Sequence, residues 1–380
     1  MVRIKIKIAI VVNSSWSAWN FRANLGFAFQ KHGYDVVFIS PYDKYSENIK
    51  EYFDYQDIAI NSKGTNPVED LKIIYNFYKV YKRLRPDIIC HYNIKPNIYG
   101  TIAASILKIP TINNIAGLGT LFIKQNFITK IAKWLYKFSQ KKATKIFFQN
   151  QDDFKMFVGE RLVQKDKCDV LPGSGVDIEK FKPIVKKDDG VFRFLVVSRM
   201  LWAKGIQEFI DAAKIIKQKH QNVEFQLLGY LDMKTPTAIS KKQMNIWVKD
   251  GCINYLGDSD DVRVKISKAD SIVLPSFYRE GIPRVLLEGA SMQKPIITTD
   301  NVGCRDVVDD GVNGYLCEVK NAEDLADKME KMLKLTNEQR NAMGKAGRRK
   351  VMKEFDERIV ICKYIDIIEI TQSIQFNLEL

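Results

Sequence analysis

The chain has 380 residues, 46% hydrophobic and 27% charged, enough for two domains with cores of their own and ordinary for a globular protein. No apolar run approaches the roughly 20 residues that cross a bilayer, and six scattered cysteines without a CxxC pair exclude a zinc or disulfide frame and suit reduced thiols in a cytoplasm. The net charge of +14 is uneven: residues 1–185 hold 28 Lys+Arg against 16 Asp+Glu and the rest 31 against 29, so the first half is the part that calls for an anionic partner.

The opening MVRIKIKIAIVVNSS alternates Lys with Ile, unlike the apolar segment of a secretory signal, and reads as a first strand. KIAIVV (7–12), DVVFIS (35–40), PDIICH (86–91), PTINNI (110–115) and KIFFQN (145–150) are predicted strands, with helical periodicity over 20–32, 68–84, 97–108 and 127–142. That alternation implies βαβ units on a parallel sheet. Residues 171–190, rich in Gly, Pro and charge, read as a linker. The rhythm then repeats with FRFLVVSR, EFQLLGY, INYLGD, SIVLPS and PIITTD as strands, and helices over 205–219, 261–268, 283–293 and 321–334. The expected architecture is α/β, with two doubly wound Rossmann-like domains (1–183 and 184–355) facing a central cleft. A last segment, 356–380, carries a helix that crosses back to the first domain. Ligands of such sheets sit beyond the carboxyl ends of the strands.

Most of the motifs fall at those ends. SIVLPS runs through FYREGIP into a helix from Pro283, whose missing N–H costs nothing in a first turn. A diphosphate could accept N–H bonds from Gly281 and Ile282, while Glu280 and Glu288 could accept hydroxyls of a sugar and a ribose. Alternatively, Glu280 is a solvated loop residue and Glu288 an exposed helical one. VVSRMLWAKG (196–205) adds Arg199, suited to bidentate oxygen recognition, and Lys204, a compact point charge. Either alone reads as a surface cation; with the glutamates at neighbouring strand ends they read as an anion site. GDSDD (257–261) contains a D-x-D, but Asp261 is more simply an N-cap, and no metal is expected. In AGLGT (116–120), Gly117 and Gly119 match a dinucleotide fingerprint whose third glycine is replaced by Phe122, so the stretch reads as a tight loop. NSSWSAW (13–19) could close on a phosphate or sugar ring through Ser15 and Trp16. It could equally be a helix start capped by Ser17, with Trp19 in the core. His91 ends a strand without a visible triad.

R-x4-K after a strand, followed by E-G-I-P-x4-E, resembles the retaining nucleotide-sugar glycosyltransferases of family 4, of the GT-B fold. The stretches NIKPNIYG (93–100), GLGT (117–120), LLGYLD (227–232) and YLGDSDDV (255–262) are similar to a bacterial group that extends undecaprenyl-diphosphate-linked sugars, N-acetylgalactosaminyltransferases among them. The resemblance implies that Arg199 and Lys204 hold and neutralise the departing diphosphate, Glu280 orients the donor sugar, and Glu288 holds the ribose. Gly281, Ile282, Pro283, Gly257, Ser15, Trp16, Gly117 and Gly119 complete the donor side, and Lys95 and Asn97 border the acceptor. Many relatives have a histidine or acidic residue where this chain reads Asn114, Ile115, Ala116, Gly117. The implied reaction moves a hexose or N-acetylhexosamine, with UDP as the expected nucleotide, onto a lipid-diphosphate-linked glycan, without metal, cofactor or side-chain nucleophile. A nucleotide-sugar epimerase or hydrolase on the same fold is the alternative. A basic nucleic-acid-binding protein is disfavoured, since aromatic and basic residues are not interleaved in a known signature.

The segment Leu121–Lys145 contains no acidic residue. Phe127, Ile131, Trp134, Leu135 and Phe138 fall on one side of a helix surrounded by lysines. Such a stripe ordinarily goes to the core of a βαβ unit, but the lysines suit an anionic leaflet. A peripheral protein on the cytoplasmic face of the membrane is the expectation.

Overall fold

The computed structural model describes residues 5–60, 67–118, 127–231, 235 and 237–379, in two compact units. The first unit runs to Ser174 and takes in the chain again from Val360; the second is Gly175–Ile359. Residues 175–183 therefore pack with the second unit, where Val176, Ile178 and Phe181 are buried in its core.

The first unit is built from β1 (Lys7–Val11), α1 (Ser15–Lys31), β2 (Asp35–Ser40), α2 (Ser46–Lys50), β3 (Asp54–Asp57), α3 (Pro67–Leu84) and β4 (Ile88–Tyr92). A π-helical turn, Pro96–Gly100, leads into α4 (Thr101–Ile106), then β5 (Thr111–Ile115), α5 (Phe127–Gln140), β6 (Lys145–Phe148), α6 (Gln151–Gly159) and β7 (Cys168–Val170). Its seven strands pair in the order β3-β2-β1-β4-β5-β6-β7, all parallel. The reversal of strand order between β1 and β4 is the switch point of a Rossmann-like sheet.

The second unit follows with β8 (Phe192–Val197), α7 (Ile206–Lys217), β9 (Val223–Leu228), α8 (Lys241–Lys249), β10 (Asn254–Tyr255), α9 (Arg263–Lys268), β11 (Ser271–Leu274) and α10 (Arg284–Ser291). It continues with β12 (Ile296–Thr299), β13 (Gly314–Cys317), α11 (Ala322–Lys334) and α12 (Asn337–Glu354), and α13 (Glu357–Glu379) closes the chain. The sheet order is β10-β9-β8-β11-β12-β13, again parallel.

Near-continuous apolar strands such as KIAIV and SIVL are buried on both faces, as parallel sheets with helices on each side require. In the first unit one layer packs α1 and α13 on the sheet and the other packs α3, α4 and α5. Tyr364 of α13 is fully buried, with ring centroids 5.0 Å from Phe147, 6.2 Å from Tyr92 and 6.4 Å from Phe29.

Several local expectations are corrected. Helix α1 begins at Ser15 because Ser14, not Ser17, is the cap: its hydroxyl accepts the Ser17 N–H at 3.2 Å. Trp19 is only partly buried and stacks on Tyr52 at 5.9 Å. Asp261 lies one residue before the cap of α9, where its carboxylate accepts the Arg263 N–H (3.0 Å) and grips the Arg263 guanidinium. The helix α12 has little apolar periodicity to read, since half of its buried stripe is glycine, at Gly344 and Gly347. The six cysteines are free thiols.

Truncating Tyr364 to Ala should cost about 3–5 kcal/mol, the range for removing a buried aromatic ring. It should lower the unfolding transition of the first unit in a calorimetric scan; an unmoved transition would show that α13 contributes little to that core.

Candidate functional site

The second unit gathers the charged motif at the carboxyl ends of β8 and β11. Beyond β8 the backbone stays paired with the extension of β9 (Ser198 N to Leu228 O, 3.0 Å; Met200 N to Tyr230 O, 3.1 Å), which leaves Arg199 exposed between two anchored residues. A 3-10 turn, Trp202–Lys204, then delivers Lys204, which is only 8% exposed. Its ammonium donates to Glu280 Oε1 and lies 5.2 Å from the centre of the Tyr278 ring. The same Glu280 oxygen accepts the Ser276 hydroxyl at 2.9 Å. Burial raises the Tyr278 pKa, and the nearby Arg199 charge opposes the rise.

Close backbone contacts hold these loops. Ala203 O accepts from both Phe277 N (3.1 Å) and Tyr278 N (3.0 Å). At Gly205 (φ 74°) a Cβ would lie 2.0 Å from Pro275 O, so only glycine lets the β8 loop meet the β11 loop. From the end of β12, Asn301 Nδ2 donates to Ser276 O (3.2 Å) and Tyr278 O (3.0 Å). Gly303 (φ 79°) presses on the same loop, where a Cβ would fall 1.9 Å from Gly281 O.

Gly281, Ile282 and Pro283 are buried in the turn that opens α10. Glu288, one turn into that helix and 13% exposed, bonds Arg284 Nε at 3.1 Å. Burial raises the Glu288 pKa above the ordinary carboxyl value, opposed by Arg284 and, more weakly, Lys180. Gly257 (φ 77°) gives its carbonyl to Gly229 N at 2.7 Å.

The first-unit candidates are more dispersed. Ser15 is fully buried and its hydroxyl is within bonding distance of Ser40 Oγ and Pro41 O, both at 2.8 Å. Trp16 is 44% exposed at the start of α1, and Gly117 (φ 86°) follows β5; Gly119 lies outside the described residues. Lys95 pairs with Asp70 at 3.1 Å, and Asn97 is buried, donating to Asn114 O at 2.7 Å. Asn114 is buried and bonds Tyr364 and Gln149. His91 lies between Tyr81 and Asn113 with its pKa pushed down to about 4 by burial, a neutral core residue.

Sequence reasoning missed Arg284, Ser276, Tyr278, Asn301 and Gly303. Arg284 was findable from its four-residue spacing to Glu288. Nothing local marks Asn301 or Gly303, which act from another strand end.

Two family models cover most of this architecture: that described as Glycosyl transferases group 1 matches residues 177–350, and Glycosyl transferase 4-like matches 7–150. An uncharacterized glycosyltransferase of Methanocaldococcus jannaschii is 30% identical over 343 residues, 85% of this chain and 86% of that protein. The chain belongs to the group 1 glycosyltransferases. This glycosyltransferase is also 28% identical to the N,N'-diacetylbacillosaminyl-diphospho-undecaprenol alpha-1,3-N-acetylgalactosaminyltransferase of Campylobacter jejuni, over 95% of this chain and 98% of the relative. Its fold is GT-B: the Anabaena protein Alr3699/HepE, solved in complex with UDP-glucose, superposes with a TM-score of 0.77 over 97% of this chain and all of that one, at 16% identity.

Replacing Arg284 by Gln removes the main cation that opposes burial at Glu288. The Glu288 titration, followed by carbon NMR of its carboxyl, should therefore move to higher pH. A carboxyl whose pKa is raised in the folded state favours folding below its unfolded pKa and loses that contribution as pH rises through the folded value. The variant should accordingly lose more stability than the parent across that rise. An unmoved titration would show that Arg284 does not act on Glu288.

Proposed function

We propose that this glycosyltransferase moves a hexose or N-acetylhexosamine from a UDP-sugar to a lipid-diphosphate-linked glycan, with retention at the anomeric carbon and without a metal, as a peripheral protein on the inner face of the cell membrane. The observation that carries this reading is the paired set Lys204–Glu280 and Arg284–Glu288 at one end of the second sheet. Two cations beside two carboxylates can divide a nucleotide sugar, the cations facing phosphate oxygens and the carboxylates facing hydroxyls. Support for the lipid-linked acceptor comes from the name of the Campylobacter relative, and for UDP from the ligand of the Anabaena protein.

In this reading Lys204 and Arg199 neutralise the β-phosphate as the bond from the anomeric carbon to its oxygen breaks. Glu280 accepts hydroxyls of the transferred sugar and Glu288 those of the ribose, while the buried turn Gly281–Pro283 brings backbone close to the donor. Gly257 lies at the neighbouring strand end. On the first unit Trp16, Gly117 and Gly119 belong to the donor side and Lys95 to the acceptor, whereas the side chains of Ser15 and Asn97, expected there too, are buried and bonded within the unit. The acceptor oxygen forms its bond on the face the diphosphate leaves, and its proton passes to a diphosphate oxygen. Metal independence rests on the side-chain cations that would stabilise the leaving group, and on Asp261 being held by Arg263.

Glu280→Gln should leave nucleoside diphosphate affinity largely intact in calorimetry while turnover falls by about 10²–10³, the scale for losing one preorganised polar group. Arg199→Ala and Lys204→Ala should weaken that affinity as well. Unchanged turnover in Glu280→Gln would remove it from the reaction. Chelation should leave turnover intact, and a strict need for added Mg²⁺ or Mn²⁺ would overturn the metal-free mechanism. Incubation with donor alone separates the alternative, because an epimerase or hydrolase releases sugar without an acceptor.

A further inference from the structure

We infer that the outer face of the α3–α4–α5 layer is the surface by which the protein lies on an anionic lipid bilayer, an inference that rests on the peripheral reading above and assigns it to residues. The helix α5 is turned the opposite way from a normal core helix. Ala132, Tyr136, Ser139 and Gln140 face inward, while Ile131, Trp134 and Phe138 are 43%, 63% and 45% exposed. The Trp134 and Phe138 rings stack at 5.8 Å with planes 10° apart, and Lys142 sits 5.3 Å from the Phe138 ring.

A second ridge repeats the pattern. On α3, Ile73, Phe77 and Tyr81 are buried, whereas Val68, Leu71 and Tyr75 are about 60% exposed, with Lys79 at 5.2 Å from the Tyr75 ring. Both helices pack against the π-helical turn Pro96–Gly100 and bury their inner sides in one core, so their outer sides point away from the same sheet face. Between them Ile106 of α4 is 61% exposed. Large exposed apolar patches are rare on monomeric proteins and mark contact with membranes or partners.

Charge decides between those occupants. From residue 88 to residue 151 the chain has nine lysines and no acidic residue; Lys95 and Lys133 are paired with Asp70 and Glu160, and α3 adds Lys72, Lys79, Lys82 and Arg83 against Glu69 and Asp70. Lys130, Lys137, Lys141 and Lys142 are exposed beside the α5 ridge. A second copy of the chain would bring these lysines against one another, while an anionic leaflet accepts apolar side chains and cations together. Next to the ridge, Lys108 and Lys142 line a groove of about 350 Å³ with Ile109 and Ile374, a setting suited to a lipid phosphate beside its acyl chains.

The test uses the intact protein and vesicles of phosphatidylcholine with or without phosphatidylglycerol. Wild type should co-sediment with the anionic vesicles at low salt and come off at high salt. Trp134→Ser with Phe138→Ser, and separately Leu71→Ser with Tyr75→Ser, should each weaken partitioning at least about tenfold. Their thermal unfolding and UDP affinity should match wild type, because the substituted side chains are exposed. If wild type binds vesicles and both variants bind equally well, this face is wrong while the peripheral reading stands. If wild type ignores anionic vesicles at low salt, the peripheral reading itself fails, and the face with it. If wild type self-associates in sedimentation velocity and the α5 variant does not, the ridge is an interface between copies and the proposal falls.

Discussion

Lys204 and Glu280, 76 residues apart in sequence, meet with side chains only 11% and 12% exposed. Taking two charges out of water costs several kcal/mol per ion, and their attraction repays this only with tight geometry and further hydrogen bonds. The surroundings supply both. Ser276 gives Glu280 a second donor, Tyr278 offers its ring to the lysine, and Ala203 O ties the two loops together. Removing one partner from such a pair typically costs about 3–5 kcal/mol, because a charge is stranded. The glycines at 205 and 303 follow from that demand: any Cβ there would push the loops apart and open the pair to water.

The second carboxylate is set up differently. Glu288 stands on a helix and has its cation one turn away, so the geometry is local and owes little to loop packing. Burial raises its pKa and Arg284 opposes the rise, which makes the carboxylate a hydrogen-bond acceptor whose charge is managed inside one helix. A site assembled from one long-range and one local ion pair is preorganised before any substrate arrives, and preorganised charge is the principal source of electrostatic stabilisation in group transfer.

The two units differ in charge. The second is nearly neutral overall and pairs Lys204 and Arg284 with carboxylates, while the first carries most of the net positive charge. One side of the first sheet is closed by α1 and α13 around Tyr364; the other is covered by helices whose outer residues are apolar and basic. The parallel sheet needs cover on both faces but places no demand on the far side of that cover, so the outer face was open to other requirements.

By itself the sequence determined the class of fold, since period-2 apolar runs alternating with period-3.6 segments allow little besides tandem βαβ units. It also marked Arg199, Lys204, Glu280 and Glu288, though only as a set: each alone reads as an ordinary surface charge, and it is their recurrence after two strands of one domain that reads as an anion site. It did not show α12, whose buried stripe includes glycines that carry no hydropathy signal, nor Asn301 and Gly303, which reach the site from another strand end. Nor did it decide which way α5 faces: Phe138 and Tyr136 look alike in a periodicity plot, and an amphipathic helix has two directions in which to turn its stripe. Only tertiary packing chose, by turning Ala132 and Tyr136 inward and leaving Trp134 exposed.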